Sequence, residues 1–139
     1  MYKIVGTGTE SLSQINVDDQ LHSLGPIGNS FELSPDKSLP LLLGGGVGIP
    51  PIVFFAEALN ANAEQSPLVL MGSEIAFPFA THNTEKTIPG IPASSCAVMT
   101  ELDTLGLDTR LCSMQGYDGF YNGYIHQLAE CWVQQLTCL

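Results

Sequence analysis

The sequence predicts an α/β domain built on a parallel sheet, and three observations support this fold class. Residues 39–43 and 67–71 are continuous apolar runs, as expected of strands that are buried on both faces. An apolar stripe at helical spacing lies between them, at the separation that a right-handed strand–helix–strand crossover requires. Four glycines join the first run to this stripe, which is typical of a turn from a strand into a helix.

The N-terminal third of the sequence does not resemble a self-sufficient domain. Residues 2–5 are predicted to form a short strand and residues 11–15 a small helix. Polar and apolar residues alternate through Leu21 and Leu24 and then reach Gly25-Pro26, which predicts a second strand ended by a turn. We interpret this part as the remainder of a larger β-structure.

The central and C-terminal parts predict the rest of the α/β domain. The helix after the glycines has one apolar stripe: Ile52, Phe55, Ala56 and Leu59. Residues 75–92 are predicted to form a long loop, and a helix then begins at Ser94 or Ser95 and ends at Gly106. The apolar face of that helix is expected to carry aliphatic side chains: Val98, Leu102 and Leu105. Residues 107–113 predict a third strand, and residues 123–136 a closing amphipathic helix.

Composition excludes several classes of partner. Four Lys and Arg residues against 14 Asp and Glu residues give a formal charge of −10, which would repel nucleic acid and anionic membranes. The apolar runs are interrupted by glycine and proline, so we predict neither a signal peptide nor a membrane span, and expect a cytoplasmic location. The cysteines lack a Cys-x-x-Cys pair and are predicted to be free thiols: Cys96, Cys112, Cys131 and Cys138. Three histidines are isolated from one another in the sequence and are predicted to have surface or capping roles: His22, His82 and His126.

The glycine-rich segment is the strongest functional signal. Backbone N–H groups at the start of a helix lack internal partners and attract anions, and side chains there would hold a phosphate away. The glycines therefore predict a turn that approaches a pyrophosphate closely: Gly44, Gly45, Gly46 and Gly48. Pro50 or Pro51 suits the first helical turn. The alternative is a tight turn beside a crowded sheet, because Ile49 occupies a position where the Gly-x-Gly-x-x-Gly dinucleotide motif requires glycine.

Other candidates have two interpretations each. Glu74 follows the second predicted strand and is a candidate acceptor for ribose hydroxyls or a solvated side chain, and Asp118 is a second candidate for a ribose. Arg110 could pair with a phosphate or form a cross-strand salt bridge. The aromatic residues near the third strand could line a cleft or pack a loop onto the sheet: Tyr117, Phe120, Tyr121 and Tyr124.

Several motifs resemble one family. "YKIVGTGTESLSQI", "LGPIGNSFEL", "LLLGGGVGIPP" and "MGSEIAFPF" occur here in order. They resemble the electron-transfer subunits of dihydroorotate dehydrogenase, in the ferredoxin–NAD(P) reductase superfamily. This resemblance implies a Rossmann-like parallel sheet of the NAD(P)-binding lobe in residues 36–139, incomplete here, preceded by a remnant of the flavin-binding β-barrel in residues 1–35.

The resemblance also implies cofactor sites. Tyr2, Lys3, Gly8 and Thr9 match the family's FAD-binding residues. The residues expected to bind NAD(H) are in and after the glycine segment: Gly44, Gly45, Gly46, Val47, Gly48, Pro50 and Glu74. No catalytic or metal-ligating residue is implied within this chain, because the family's Arg-Pro-x-Ser flavin motif and the cysteines that hold its [2Fe–2S] centre are absent.

The implied parent protein is an oxidoreductase subunit of pyrimidine biosynthesis. It would pass electrons from NADH through FAD and a [2Fe–2S] centre to the dihydroorotate dehydrogenase catalytic subunit. We expect this chain to be a piece truncated at both ends, inactive alone, and prone to self-association through exposed strand edges. The alternatives are a noncatalytic nucleotide-binding module and a subunit of another ferredoxin-reductase-like enzyme, such as a sulfide dehydrogenase or hydrogenase.

Overall fold

A computed structural model describes residues 4–34, 37–61 and 65–137. The chain divides into two compact units, Met1–Leu33 and Ser34–Leu139. The first unit contains helix α1 (Thr7–Ser13), and the second contains all the other elements. In chain order these are β1 (Leu41–Gly45), a 3₁₀ turn (Gly46–Gly48), α2 (Ile49–Ala61), β2 (Leu68–Gly72), β3 (Thr81–Asn83), β4 (Ala97–Met99), α3 (Thr100–Thr104), β5 (Asp108–Cys112) and α4 (Ile125–Thr137).

The first unit differs from the sequence prediction. Residues 4–34 contain no strand, so the strand predicted through Leu21 and Leu24 is wrong. An alternating segment becomes a strand only when another strand pairs with it, and the described residues offer none here. The predicted helix begins earlier, at Thr7, because the Thr9 hydroxyl accepts hydrogen bonds from the N–H groups of Val5 (2.9 Å) and Gly6 (3.2 Å). The strand predicted over residues 2–5 lies partly outside the described residues.

The second unit has the predicted α/β architecture. Strands β1, β2 and β5 form a parallel sheet in the order β1-β2-β5, which confirms the three sheet strands and their direction. Leu41 lies beside Leu68, and Leu68 lies beside Asp108, so the strands start in register. Helix α2 forms the crossover from β1 to β2, as the spacing predicts.

The sheet separates two hydrophobic clusters. Val69 and Met71 face the cluster that includes α2, while Leu68 and Leu70 face the cluster that includes α4. All four side chains are at most 4% exposed, because alternate residues of a central strand point to opposite covered faces. The continuous apolar sequence of β2 follows from this burial on both sides.

The region between β2 and β5 is the main correction within the second unit. The helix predicted from Ser94 or Ser95 begins instead at Thr100, and residues 97–99 form β4, which pairs antiparallel with β3 inside the predicted loop. Tertiary hydrogen bonds select the strand, since Met99 N–H donates to Thr109 Oγ1 (3.1 Å) and Ala97 N–H to the Gly119 carbonyl (2.7 Å). Ser95 is buried rather than capping a helix.

Two further features concern the helices. Gly106 follows α3 with φ +81°, which confirms the prediction that a glycine ends this helix. Within the described ranges, no helix has the length and apolar character needed to cross a bilayer.

Candidate functional site

The carboxyl ends of the three parallel strands meet at one edge of the sheet. Gly45 at the end of β1 lies beside Gly72, and Gly72 lies beside Cys112 at the end of β5. Open α/β sheets bind ligands in the crevice beyond these ends. The segments that leave the strands here, beginning at Gly46, Ser73 and Ser113, therefore form the candidate site.

The glycine turn, residues 44–48, has two different parts: Gly44 and Gly45 form the end of β1 rather than the predicted turn, and Gly46–Gly48 form the 3₁₀ turn. A Cβ added at Gly44 would lie 3.1 Å from Ile49 Cα and 3.4 Å from Ile52 Cβ, so this glycine lets α2 pack closely on β1. A Cβ added at Gly45, Gly46 or Gly48 would meet no atom within 4 Å. The tight-turn explanation therefore accounts for Gly44 through packing and for Gly46 through its positive φ, but not for Gly45 and Gly48.

The turn is open to solvent. Gly46 has φ +51°, a left-handed conformation that glycine adopts without strain, and Val47 is 74% exposed. Ile49 N–H donates to the Gly46 carbonyl, and the Ile49 side chain is buried, so the 3₁₀ turn leads directly into α2. Pro50 lies half-buried in the first turn of α2. The turn thus presents main chain, without covering side chains, next to the start of a 13-residue helix.

Glu74 lies two residues beyond the end of β2 and is exposed. The preceding Ser73 is fixed to the sheet, because its N–H donates to the Cys112 carbonyl (3.2 Å) and its hydroxyl accepts from Ile75 N–H (3.2 Å). Glu74 is therefore on the same edge as the glycine turn, with its carboxylate in solvent.

The segment after β5 folds back along the sheet. Tyr121 N–H donates to the Leu111 carbonyl (2.9 Å), and Ser113 N–H donates to the Tyr121 carbonyl (3.0 Å). Asp118 accepts a hydrogen bond from Asn83 Nδ2 (2.9 Å), so this carboxylate ties the segment to β3. Asp118 thus has a structural role at present, in addition to its candidate role toward a ribose.

The aromatic residues here mainly pack the loops. Phe120 contacts Phe77 (ring centroids 5.7 Å apart) and Tyr117 (5.3 Å), and Phe77 contacts Phe79 (4.9 Å). Phe77, Phe79 and Phe120 pack on the core cluster that includes α2, as the packing interpretation predicts. Tyr124 is 54% exposed and stacks on His126.

Two groups beside the sheet have perturbed acidities. Burial raises the pKa of the Cys112 thiol to about 12, so it stays neutral and donates to the Met71 carbonyl. Burial, reinforced by the neighbouring Cys131 thiol, raises the pKa of Tyr121. Neither group is therefore a nucleophile or base at neutral pH.

The residues assigned to FAD are less informative. Tyr2 and Lys3 lie outside the described residues. Gly8 is exposed within α1, and the Thr9 hydroxyl donates to the Gly6 carbonyl (3.0 Å) while accepting the two N–H bonds described above. The Thr9 hydroxyl is thus hydrogen-bonded within the start of α1, and its assignment to FAD stays a prediction.

The remaining histidine and arginine candidates have local partners. In the described ranges, no group of three or more His, Cys, Asp or Glu side chains is placed to hold a metal ion. His82 contacts Thr100 Oγ1 through Nδ1 (3.1 Å) and Asp103 through Nε2 (3.0 Å). Arg110 forms no cross-strand salt bridge with any described carboxylate; it is buried and donates to backbone carbonyls. Its burial is the feature that sequence reasoning missed.

Comparisons with known proteins confirm the predicted resemblance over half of the chain. A dihydroorotate dehydrogenase B (NAD(+)) electron transfer subunit from Streptococcus mutans is 42% identical over 72 residues. Proteins of the same name from Listeria welshimeri and Caldanaerobacter subterraneus are 35% identical over 71 residues and 43% identical over 62. These matches cover 45–50% of this chain but only 25–28% of each relative, so the chain spans about a quarter of the length of the relatives it matches.

Comparisons with family models and with solved structures found no match.

Proposed function

We propose that the second unit binds the pyrophosphate of NADH at the glycine turn, as part of an NADH-linked electron-transfer subunit. The named relatives support an electron-transfer role for the parent protein. In that protein, electrons would pass from NADH through FAD and a [2Fe–2S] centre to the catalytic subunit of dihydroorotate dehydrogenase, in pyrimidine biosynthesis. Residues 36–139 would then be part of the NAD(P)-binding lobe, and residues 1–35 a remnant of the flavin-binding barrel.

The observation that carries this proposal is the uncovered main chain at Gly45, Gly46 and Gly48. Space beside all three glycines allows a diphosphate to reach the backbone, and the start of α2 supplies partial positive charge. Uncharged main-chain amides would bind the phosphate, because the chain carries a formal charge of −10 and has few cationic side chains. Close packing requires glycine at Gly44, and the positive φ of the turn favours glycine at Gly46, but neither requirement applies to Gly45 or Gly48.

The neighbouring segments would orient the rest of the dinucleotide. Glu74 would accept hydrogen bonds from ribose hydroxyls, because its exposed carboxylate lies at the same sheet edge as the turn. The segment after β5, fixed by Tyr121 and Asp118, would bound the opposite side of the crevice. NADH supplies the hydride when bound, and this chain's contribution is to hold and orient it.

The described residues do not supply the remaining electron carriers. Thr9 is engaged by its own backbone, and no described cluster would ligate iron. We propose that this chain binds a dinucleotide without transferring electrons on its own.

Isothermal titration with NADH, NAD and ATP tests the proposal. Gly45→Ala adds a methyl group in open space at the turn, whereas the matched control Gly6→Ala adds one in open space in the first unit. We expect NADH to bind the wild type and Gly6→Ala equally and Gly45→Ala about tenfold more weakly, a loss of roughly 1.4 kcal/mol. Equal NADH affinity in all three proteins, preference for ATP, or no NADH binding at millimolar concentration would refute the assignment.

A further inference from the structure

A buried arginine in the second unit has a side-chain donor without a hydrogen-bond partner among the described residues. Arg110 on β5 is 2% exposed. One terminal nitrogen donates to the Thr109 carbonyl (2.6 Å) and the other to the Lys86 carbonyl, while Nε–H has no hydrogen-bond partner among the described residues. Such an unpaired buried donor is uncommon in folded proteins.

Arg110 also forms no direct ion pair with a described carboxylate, although Asp108 and Asp103 are near enough to interact with its charge. Among the described residues, Lys86 pairs with Asp108 and His82 contacts Asp103, and neither of these pairs includes Arg110. Burial lowers the pKa of Arg110, and Asp108, Cys96 and Asp103 oppose that shift. Guanidinium groups nevertheless keep their charge in proteins, so a cation remains in the interior, where an unpaired charge is unfavourable.

A cavity of about 190 Å³ lies against this arginine. The polar and charged residues that line it besides Arg110 are Thr84, Glu85, Lys86, Thr87, Ser95 and Cys96. No residue of the glycine turn lines it. Its volume is below the range of about 300–1,000 Å³ that is usual for sites of drug-sized ligands, and corresponds to roughly six water molecules at liquid density. A whole dinucleotide would not fit, whereas a compact ion would.

We propose that this cavity binds a compact oxyanion, of the phosphate or sulfate class, beside the guanidinium of Arg110 and among the polar residues that line the wall. The planar guanidinium suits an oxyanion because it presents parallel N–H donors to two oxygens. Glu85, which also lines the cavity and is exposed, opposes binding and keeps the site weak. This site is separate from the glycine turn and does not depend on the proposed function.

Protection of Cys96 from alkylation tests the proposal with an internal control. Cys96 lines the cavity, whereas Cys131 is equally half-buried but lies on α4 and outside the cavity wall. We expect 20 mM phosphate or sulfate, at constant ionic strength, to slow iodoacetamide modification of Cys96 at least threefold, measured by peptide mass spectrometry, and to leave Cys131 unchanged. The same measurement with acetate distinguishes protection by a carboxylate from protection by a tetrahedral anion. Unchanged Cys96 rates with every anion would show that the cavity holds only water, and would overturn the proposal.

Surface variants keep the test independent of folding. Glu85→Gln removes the carboxylate at the cavity and should strengthen phosphate binding about two- to fivefold, while the exposed control Glu101→Gln on α3 should leave it unchanged. Ala93→Phe, at an exposed cavity position, should abolish phosphate protection of Cys96. Equal phosphate affinity in Glu85→Gln and Glu101→Gln, or full protection in Ala93→Phe, would contradict the site. In Arg110→Gln, phosphate should no longer protect Cys96 from alkylation. If that protein does not fold, Glu85→Gln and Ala93→Phe decide whether the site exists.

Discussion

Replacing Gly44 by alanine separates packing from binding at the glycine turn. The added methyl carbon would lie 3.1 Å from Ile49 Cα, 3.4 Å from the Gly48 carbonyl oxygen and 3.4 Å from Ile52 Cβ. Two of these three neighbours are backbone atoms, so the methyl group cannot be accommodated by rotating one side chain. The start of α2 would have to shift away from β1 by a few tenths of an ångström.

The size of the effect follows from two opposing terms. Overpacking of this kind costs about 1–3 kcal/mol, and the reduced entropy of the unfolded chain returns about 0.4–1 kcal/mol when glycine becomes alanine. We expect Gly44→Ala to lose about 1.5 kcal/mol of stability. For a unit of roughly this size, that loss lowers the melting temperature by about 6–12 °C.

Thermal unfolding followed by circular dichroism measures this loss, with Gly45→Ala as the control. Gly45 is the next residue, has φ −116°, and has no atom within 4 Å of an added Cβ. Its alanine variant should therefore be as stable as the wild type or slightly more stable. A Gly44→Ala protein no less stable than Gly45→Ala would refute the division of the turn into a packed glycine and open ones.

Three further predictions concern other parts of the chain. Because the folded chain keeps the Cys112 thiol neutral until about pH 12 while the unfolded thiol ionises above pH 9.0, stability should fall as pH rises through this window. Urea unfolding should show that the free energy of unfolding falls by about 1.4 kcal/mol between pH 8 and 10 in the wild type but not in Cys112→Ala. An equal fall in both proteins would contradict this prediction. Gly90→Ala should lower the free energy of unfolding by roughly 1–3 kcal/mol more than Gly106→Ala does. Both glycines have positive φ, but only at Gly90 would an added Cβ lie 3.0 Å from backbone atoms of α4. Equal losses in the two variants would contradict this contact. Light scattering should show concentration-dependent self-association that Phe54→Lys reduces, because Phe54 is 74% exposed; a clean monomer at high concentration would refute it.

The sequence alone determined the parallel sheet. Residues 67–71 are apolar without interruption because β2 is covered on both faces, and this pattern does not depend on which residues provide the cover. The glycine segment likewise predicted a strand-to-helix turn, because glycine and proline restrict the backbone locally. The resemblance to electron-transfer subunits also came from local motifs, and the comparisons confirm it over half of the chain.

Tertiary structure decided the features that depend on distant partners. Residues 97–99 have apolar residues that suit a helix or a strand, and their hydrogen bonds to Thr109, Gly119 and β3 select the strand. The segment through Leu21 and Leu24 alternates like a strand, but no described neighbour pairs with it. The burial of Arg110 and the cavity beside it arise where residues 84–96 cover β5, so no pattern around position 110 could have revealed them. Local patterns encode backbone preference, whereas pairing, burial and cavities are set by residues far apart in the chain.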